Sequence, residues 1–225
     1  MKHYAIVLKD NQVSEEAYKR LQNSTKENIM RFDAIVPDEV DGLLRMFDIQ
    51  WNYPWDKPIL DIATGLKKSP YPTKNPKARI ACALSHYTLW QMCVALKEPI
   101  VVLEHDAIFI RDIDFDPSQF KFDIIGLNDP RGATRKSGDF HAKVQAQDAR
   151  IVKVPWIDDQ QVPQGLAGNS AYIIKPEGAK KLMELVKSCG LWPNDAIMCR
   201  QLIPTLGVTK TYYTKVQGTR STTTQ

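Results

Sequence analysis

The chain has 225 residues, of which 43% are hydrophobic, and this size and composition suit one domain, residues 1–225, built around a single core. No apolar run reaches the length of a membrane span, which disfavours an integral membrane protein. The run Ala5–Leu8 is too short for the core of a secretion signal, so we expect a cytoplasmic protein.

The net charge of +4 is unevenly distributed along the chain. Residues 131–153 hold six basic and two acidic side chains, and residues 196–225 hold four basic side chains and no acidic one. This distribution indicates that a polyanion, or at least a diphosphate, meets that side of the molecule. Solubilising surface charge explains the same pattern equally well.

The four cysteines, Cys82, Cys93, Cys189 and Cys199, form no C-x-x-C pair, and we expect them to be reduced, buried thiols. Cys82, His86 and Cys93 have helical spacing and would suit a zinc ion. They lack a clear fourth ligand, which disfavours a structural zinc site.

Patterns in the first half of the chain predict strands alternating with helices. The expected elements are strands at 3–8 and 32–36 and helices at 14–22 and 38–47. A proline-rich excursion at 51–76 follows, and we expect it to be irregular. Residues 77–96 form the longest helical pattern, and their apolar character on most sides indicates a helix buried in the middle of a domain.

The second half continues the alternation of strands and helices. The expected elements are strands at 122–127, 150–155, 170–174 and 208–216 and helices at 176–188 and 195–202. We expect the basic segment 131–143 to be a mobile loop, the glycine-rich segment 165–169 to lead into a strand, and the polar tail 217–225 to fray. This order of elements predicts a three-layer α/β domain.

The most informative stretch is the apolar run Ile100–Leu103, which ends abruptly in Glu104, His105 and Asp106. Such a run predicts a fully buried strand, typically in a parallel sheet, and open α/β sheets bind ligands beyond the carboxyl ends of their strands. Strand alternation would place Glu104 and Asp106 on one face and His105 on the other. The two carboxylates could then converge on one hard cation or one sugar-nucleotide. A solvated strand end is the plainer interpretation.

A metal phosphohydrolase of the HD type is a further hypothesis. His86, the pair His105-Asp106 and Asp195 occur in the order H…HD…D that such enzymes use. Those proteins are all-helical, however, and their His-Asp pair lies on a helix. Here the pair follows a β-branched apolar run, which favours a strand and disfavours this class.

Three motifs resemble those of glycosyltransferase family 25, the family of bacterial lipooligosaccharide glycosyltransferases and collagen galactosyltransferases. They are C-A-L-S-H at 82–86, L-W-Q at 89–91 and L-E-H-D-A at 103–107. The family's hallmark is a C-x-L-S-H helix followed by a strand that ends in L-E-D-D-A. Weaker matches occur in the family's order at 32–34, 170–174, 178–179 and 193–195.

The chain departs from the family pattern at two places. His105 occupies the position of the family's middle aspartate, and Ala78-Arg79-Ile80-Ala81 stands where the family usually has Gly-Glu-Ile-Gly. Arg79 replaces an acidic residue with a cation, which could contact a donor phosphate or reflect a different donor.

The resemblance implies a GT-A-like (Rossmann-like) three-layer sandwich with a mostly parallel mixed sheet, and an inverting transfer from a nucleotide-sugar, with a UDP-sugar as the expected donor. It also implies Mn²⁺ or Mg²⁺ at the acidic strand end. Asp106 is then the first choice as metal ligand, and Glu104 would bind the metal through water or hold the donor. Asp195 is the implied general base, with a helix N-cap as an equal interpretation.

Five further residues are predicted to contribute to the donor site. Ser85 and His86 lie on the buried helix next to the acidic strand, although a core His–Ser pair is a close competitor. Arg79 is assigned to the donor phosphates, and Asn169 and Asp129 lie at predicted strand edges.

The acceptor is left open between two chemical classes. The resemblance favours a hydroxyl of a glycan or lipopolysaccharide, for a protein in the cytoplasm or peripheral to the inner membrane. The basic blocks leave a hydroxymethylated base in phage DNA, modified in the host cytoplasm, as an alternative. A third possibility is a glycan- or nucleotide-binding module without catalysis.

Overall fold

The computed structural model describes residues 1–71, 73–133 and 136–218. Its strands are β1 (Lys2–Val7), β2 (Ile29–Asp33), β3 (Ile59–Asp61), β4 (Leu66–Lys68), β5 (Ile100–Glu104), β6 (Ala107–Phe109), β7 (Ile124–Gly126), β8 (Ile151–Lys153), β9 (Ala171–Ile174), β10 (Leu206–Thr209) and β11 (Thr214–Val216). Its α-helices are α1 (Gln12–Gln22), α2 (Val40–Phe47), α3 (Pro76–Leu96), α4 (Ser137–Gln145), α5 (Pro176–Cys189) and α6 (Asn194–Ile197). None of these helices is long and apolar enough to cross a membrane.

A seven-stranded sheet in the order β2-β1-β5-β9-β7-β10-β8 forms the middle layer. Five of its strands run in one direction, and β9 and β8 run in the other. The side chains of β5 alternate between two hydrophobic clusters, with Ile100 and Val102 on one face and Val101 and Leu103 on the other. The prediction of a three-layer α/β sandwich with a mostly parallel mixed sheet is therefore confirmed.

Helix α3 packs against α5 inside the larger of the two clusters. The Asn75 side chain accepts a hydrogen bond from the Ala78 amide at the start of α3, and Lys97 ends the helix in the left-handed conformation. Because both sides of this helix are covered, polar residues in its middle are held in fixed positions. The predicted buried helix at 77–96 is confirmed within one residue.

Two predicted segments differ from the structure: the second strand differs in position, and the basic segment differs in type. The second strand occupies 29–33 instead of 32–36. The basic segment 131–143 contains the end of a 3₁₀ turn and the start of α4, so it is not a mobile loop, and its residues 134 and 135 lie outside the described part of the chain. Phe140 and Val144, four residues apart, are both buried and hold α4 against the core.

Other differences concern the excursion and the C-terminal part. Residues 51–76 include the β3–β4 hairpin, so this segment is not wholly irregular. The helix predicted at 195–202 is the single turn α6. The strand predicted at 208–216 is divided between β10, in the main sheet, and β11, which pairs with β6. Most of the predicted frayed tail, residues 219–225, lies outside the described residues.

The β3–β4 hairpin is fixed to the core by a buried lysine. Lys68 is fully buried, and its Nζ donates to the Asn52 carbonyl at 2.7 Å and contacts Asp61 Oδ1 at 3.2 Å. The same ammonium lies 4.5 Å from the centre of the Trp192 ring. Because Trp192 lies two residues before α6, this contact joins the hairpin to the segment that carries Asp195.

Replacing Lys68 by alanine is expected to lower the free energy of unfolding by about 3–5 kcal/mol, because Asp61 would remain buried without its partner. Lys67→Ala is the matched control, since Lys67 is the neighbouring exposed lysine and should change stability by less than about 0.5 kcal/mol. Urea denaturation of the two variants measures the difference. Equal stability of the two would show that the buried contact does not hold the hairpin.

Candidate active site

A cavity of about 330 Å³ opens at the carboxyl ends of the parallel strands. Its wall includes residues at or just beyond the ends of β1, β2 and β5, such as Leu8 and Ile35, and the segment 168–170, which precedes the antiparallel strand β9. Helix α3 and the turn α6 close its other sides. This is the edge at which open α/β sheets bind ligands.

The acidic strand end lies in this cavity, but strand alternation is not what brings it there. Strand β5 ends at Glu104, and His105 and Asp106 form the turn into β6, so the predicted strand geometry does not extend to Asp106. Glu104, His105 and Asp106 all belong to the residues that line the cavity. Burial lowers the pKa of the His105 imidazole, while the nearby Glu104 raises it.

The Asp106 carboxyl lies in an environment that disfavours its charged form. Its Oδ1 is buried and has no hydrogen-bond partner among the described residues. Burial, and secondly the charge of Glu104, raise the pKa of the Asp106 carboxyl to about 7. A buried carboxyl that also feels the charge of a second carboxylate favours either a bound proton or a bound cation.

Ser85 and His86 lie one turn below Cys82 on α3 and are fully buried. The Ser85 hydroxyl donates to the Ala81 carbonyl and accepts from the Ile35 amide at 3.0 Å, so it joins the segment after β2 to the helix. The two side chains therefore do not form the predicted His–Ser pair. Ser85 lines the cavity, and its contact with a donor stays a prediction.

His86 is held between a tyrosine and the acidic strand end. Its Nδ1 lies 2.9 Å from the Tyr172 hydroxyl, and its Nε2 lies 3.4 Å from Glu104 Oε1. Tyr172 is fully buried and also accepts a hydrogen bond from Trp90 Nε1 at 2.9 Å. The pattern of the sequence did not reveal this role of Tyr172, because a tyrosine in a buried strand has the same signature as an ordinary core residue.

Cys93 does not join the other two residues of the disfavoured zinc set. The Cys93 thiol donates to the carbonyls of Glu98 and Ile174, away from the cavity. Possible ligand atoms of Cys82, His86 and Glu104 do lie within 4.8 Å of one another. All four cysteines belong to the described residues, and none is in a disulfide.

Asp195 lies in the first turn of α6, where it lines the cavity. The residue at the N-cap is Pro193, so the N-cap interpretation of Asp195 is wrong. Burial raises the pKa of the Asp195 carboxyl, an effect that Arg79 opposes and Glu104 reinforces, and Tyr71 hydrogen-bonds to it. Tyr71 comes from the proline-rich excursion, and no motif in the sequence identified it.

Arg79 and Asn169 face the same space. The Arg79 guanidinium lies 5.1 Å from the centre of the Tyr71 ring, and its Nε is buried without a hydrogen-bond partner among the described residues. Both amide atoms of Asn169 are also buried and unpartnered, as is the hydroxyl of Ser170. Buried polar groups without protein partners indicate a polar ligand or ordered water.

Glycines allow this close approach of backbone segments. A Cβ at Gly165 would lie 2.4 Å from the Asp195 carbonyl oxygen, so the segment before Asn169 packs directly on the turn that carries Asp195. Gly168 has φ +76°, a conformation that side chains other than glycine rarely adopt. The glycine-rich pattern therefore serves the packing of two cavity walls.

The predicted residue Asp129 does not line this cavity. Its carboxylate caps the 3₁₀ turn Pro130–Gly132 and pairs with Arg131. Its contact with donor or acceptor stays a prediction. Arg79 is the one lysine or arginine on the cavity wall that the described residues form, so the two basic blocks do not supply charge there.

The acidic strand end fits a hard divalent cation. Mn²⁺ and Mg²⁺ prefer carboxylate oxygens, and Asp106 Oδ1 is a buried oxygen to which no described residue hydrogen-bonds. A softer ion would use Cys82, but burial raises the pKa of the Cys82 thiol and opposes the thiolate that such an ion requires. Asp106 and Glu104 are therefore the residues that would hold Mn²⁺ or Mg²⁺.

In metal-free buffer at pH 8, Asp106→Asn is expected to stabilise the protein by about 2–4 kcal/mol, or roughly 5–10 °C in Tm. A raised pKa means that the folded protein binds this proton more tightly than the unfolded chain, so the wild type loses stability as the pH rises from 3.8 to about 7. The variant lacks this loss. Thermal unfolding at pH 5 and pH 8 compares the Tm of the variant with that of the wild type. The gain in Tm should be larger at pH 8.

Asp116→Asn is the control for this substitution. Asp116 accepts hydrogen bonds from Ser118, which lower the pKa of its carboxyl, so the same change should slightly lower Tm. A lower Tm for Asp106→Asn at both pH values would contradict the assignment of Asp106 as a destabilising buried carboxyl.

No curated protein sequence matches this chain. Among solved structures, the galactosyltransferase LgtC in complex with donor and acceptor sugar analogues is similar, with a TM-score of 0.43 and 10% identity, over 92% of this chain and 73% of the other. The HD-type hypothesis is wrong, because the His-Asp pair lies in the turn after strand β5 of an α/β sheet and not on a helix. The model of glycosyltransferase family 25 (LPS biosynthesis protein) matches residues 1–198, so the chain belongs to this family and is a glycosyltransferase.

Proposed function

We propose that this enzyme is an inverting, metal-dependent glycosyltransferase that moves a sugar from a UDP-sugar to a hydroxyl of a glycan or lipopolysaccharide. The observation that supports this most strongly is the set of unpartnered polar atoms in one cavity. Six buried atoms of lining residues have no hydrogen-bond partner among the described residues: Arg79 Nε, His86 Nε2, Asp106 Oδ1, Asn169 Oδ1, Asn169 Nδ2 and Ser170 Oγ. Because this set contains both hydrogen-bond donors and acceptors, it suits a ligand that carries phosphates and hydroxyls.

The leaving group sets the charge that the cavity must accommodate. A divalent cation held by Asp106 and Glu104 would supply positive charge to the departing nucleoside diphosphate. Arg79 adds a fixed cation on the same wall and can donate from its free Nε to a phosphate oxygen. The Asn169 amide can donate to and accept from sugar hydroxyls, which orients the donor.

Inversion requires a base on the acceptor side of the sugar, and Asp195 is the proposed base. A raised pKa makes the Asp195 carboxylate a stronger base than an exposed aspartate. Tyr71 orients this carboxylate through a hydrogen bond, and the Arg79 guanidinium stabilises its charged form. The proton of the acceptor hydroxyl is therefore assigned to an Asp195 oxygen.

The glycan acceptor is preferred over DNA because of how the basic side chains are arranged. Arg131 and Arg150 pair with Asp129 and Asp114. Lys143 donates to the Trp156 carbonyl, and Arg200 stacks on the ring of the same residue. Because these basic side chains are engaged by the protein's own residues, they do not favour a surface that binds nucleic-acid phosphates.

Asp195→Asn is expected to reduce kcat by about 10²–10⁴-fold, because the amide cannot take the acceptor's proton. The KM for the donor should change little, since the amide occupies the same volume beside Tyr71. Asp116→Asn, outside the cavity, is the activity control. Steady-state kinetics with the full chain measure both constants, and an unchanged kcat would exclude Asp195 as the base.

Mn²⁺ is expected to raise the Tm of the wild type, with a stabilisation of about 2.7 kcal/mol at a concentration a hundred times its Kd. Asp106→Asn should lose this response, because it removes one of the two carboxylates, whereas Asp116→Asn should keep it. A thermal-shift titration followed by addition of EDTA tests this. The same response in all three proteins would place the ion elsewhere.

The proposed reaction is tested by incubating the full chain with Mn²⁺ and a panel of nucleotide-sugars, with free oligosaccharides, lipopolysaccharide cores and hydroxymethylated DNA as acceptors. We expect transfer from a UDP-sugar to a glycan hydroxyl. NMR of the product should show that the anomeric configuration is inverted. Transfer to DNA that weakens steeply with salt would support the other acceptor. A product of retained configuration would contradict the inverting mechanism.

A further inference from the structure

Two buried hydrogen bonds join helix α3 to strand β9, and one further contact leads from α3 to the acidic strand end. Trp90 Nε1 lies 2.9 Å from the Tyr172 hydroxyl, which lies 2.9 Å from His86 Nδ1. His86 Nε2 then lies 3.4 Å from Glu104 Oε1. Trp90, Tyr172 and His86 are each 0% exposed, so bulk solvent does not reach these three side chains.

The direction of these hydrogen bonds follows from what each group can donate. An indole N–H only donates, so the Tyr172 oxygen accepts from Trp90. The Tyr172 hydroxyl has one hydrogen, and His86 Nδ1 is the acceptor in reach among the described residues. A neutral imidazole that accepts at Nδ1 carries its proton on Nε2, which is the nitrogen that faces Glu104.

The opposite tautomer leaves two groups without partners. If Nδ1 carried the proton, the Tyr172 oxygen would accept two hydrogen bonds, and its own hydrogen would be buried without an acceptor among the described residues. The lone pair of His86 Nε2 would then face the oxygen of Glu104 at 3.4 Å. Both arrangements are unfavourable in an interior that excludes water.

We infer that His86 is a positioning residue for Glu104, and that Trp90 and Tyr172 fix its tautomer so that the Nε2 proton points at the Glu104 carboxylate. This role rests on the proposed function, in which Glu104 contacts the metal or donor. It also argues against Cys82, His86 and Glu104 as a joint ligand set for a soft metal ion, because a protonated Nε2 cannot coordinate a metal. The 3.4 Å spacing is longer than a normal hydrogen bond, and catalytic contacts of this kind often tighten only in the ligand complex.

The tautomer is tested directly by long-range ¹H–¹⁵N NMR on the metal-free, donor-free protein at a pH where the ring is neutral. The chain has four histidines, and His86→Gln identifies the His86 signals by their loss. We expect protonated Nε2 and unprotonated Nδ1. A proton on Nδ1 would overturn the inference, as would one Zn²⁺ bound per chain that His86→Gln and Cys82→Ser both abolish.

Tyr172→Phe tests the source of the tautomer preference, because it removes the hydroxyl and little else. We expect a mixture of both tautomers at His86 and an Mn²⁺ Kd raised about tenfold to a hundredfold, the usual effect of losing a group that orients a ligand. Tyr18→Phe is the matched control, since its buried hydroxyl donates to the Ile29 carbonyl outside the cavity. It should lower Tm without changing the Mn²⁺ Kd. Equal Mn²⁺ affinity in the two variants would overturn the positioning role.

His86→Gln provides a second test that does not depend on Tyr172. A glutamine amide can place an N–H near the position of Nε2, so it should restore much of the Mn²⁺ affinity that His86→Ala loses. Equal losses in the two variants would contradict the role as a donor to Glu104. Failure of sugar transfer with every donor would count against the proposed function but leave the ring measurement unaffected.

Discussion

The site depends on one electrostatic constraint, which is that two carboxylates are held together at the tip of a buried strand. Strand β5 is completely enclosed up to Leu103, and the chain must turn at once to form β6. Asp106 is thereby buried within reach of the charge of Glu104, and these two effects, burial first, raise the pKa of Asp106 to about 7. Such an arrangement is unfavourable in the isolated protein and becomes favourable when positive charge arrives.

The remaining architecture supports that pair from three sides. Helix α3 carries Arg79 and His86 past the strand tip, and its buried residues, between Ile80 and Cys93, pack it into the core. The β3–β4 hairpin, fixed through Lys68 and Trp192, leads to Tyr71 and so to Asp195. Stability and function are coupled here, since contacts that hold the excursion on the core also orient the proposed base.

Much of the fold was predictable because its signals are local. Alternating apolar runs and helical periodicity identified the layers, and the strand at 100–103 followed from four consecutive apolar residues. The boundaries of β2 and the helix α4 were not predictable with the same accuracy. In both cases the decisive contacts are made with distant elements, such as the burial of Phe140 and Val144 against the core.

The sequence by itself determined the family, the buried helix and the acidic strand end, because these depend on residue types at fixed short spacings. Only the tertiary structure decided that His105 lines the cavity, that Asp129 does not, and that Cys93 faces away. It alone joined Tyr172 to His86, which are 86 residues apart, and placed Tyr71 beside Asp195. The physical reason is that side-chain direction beyond a strand end is set by turns and by packing between elements, and neither leaves a periodic trace in the chain.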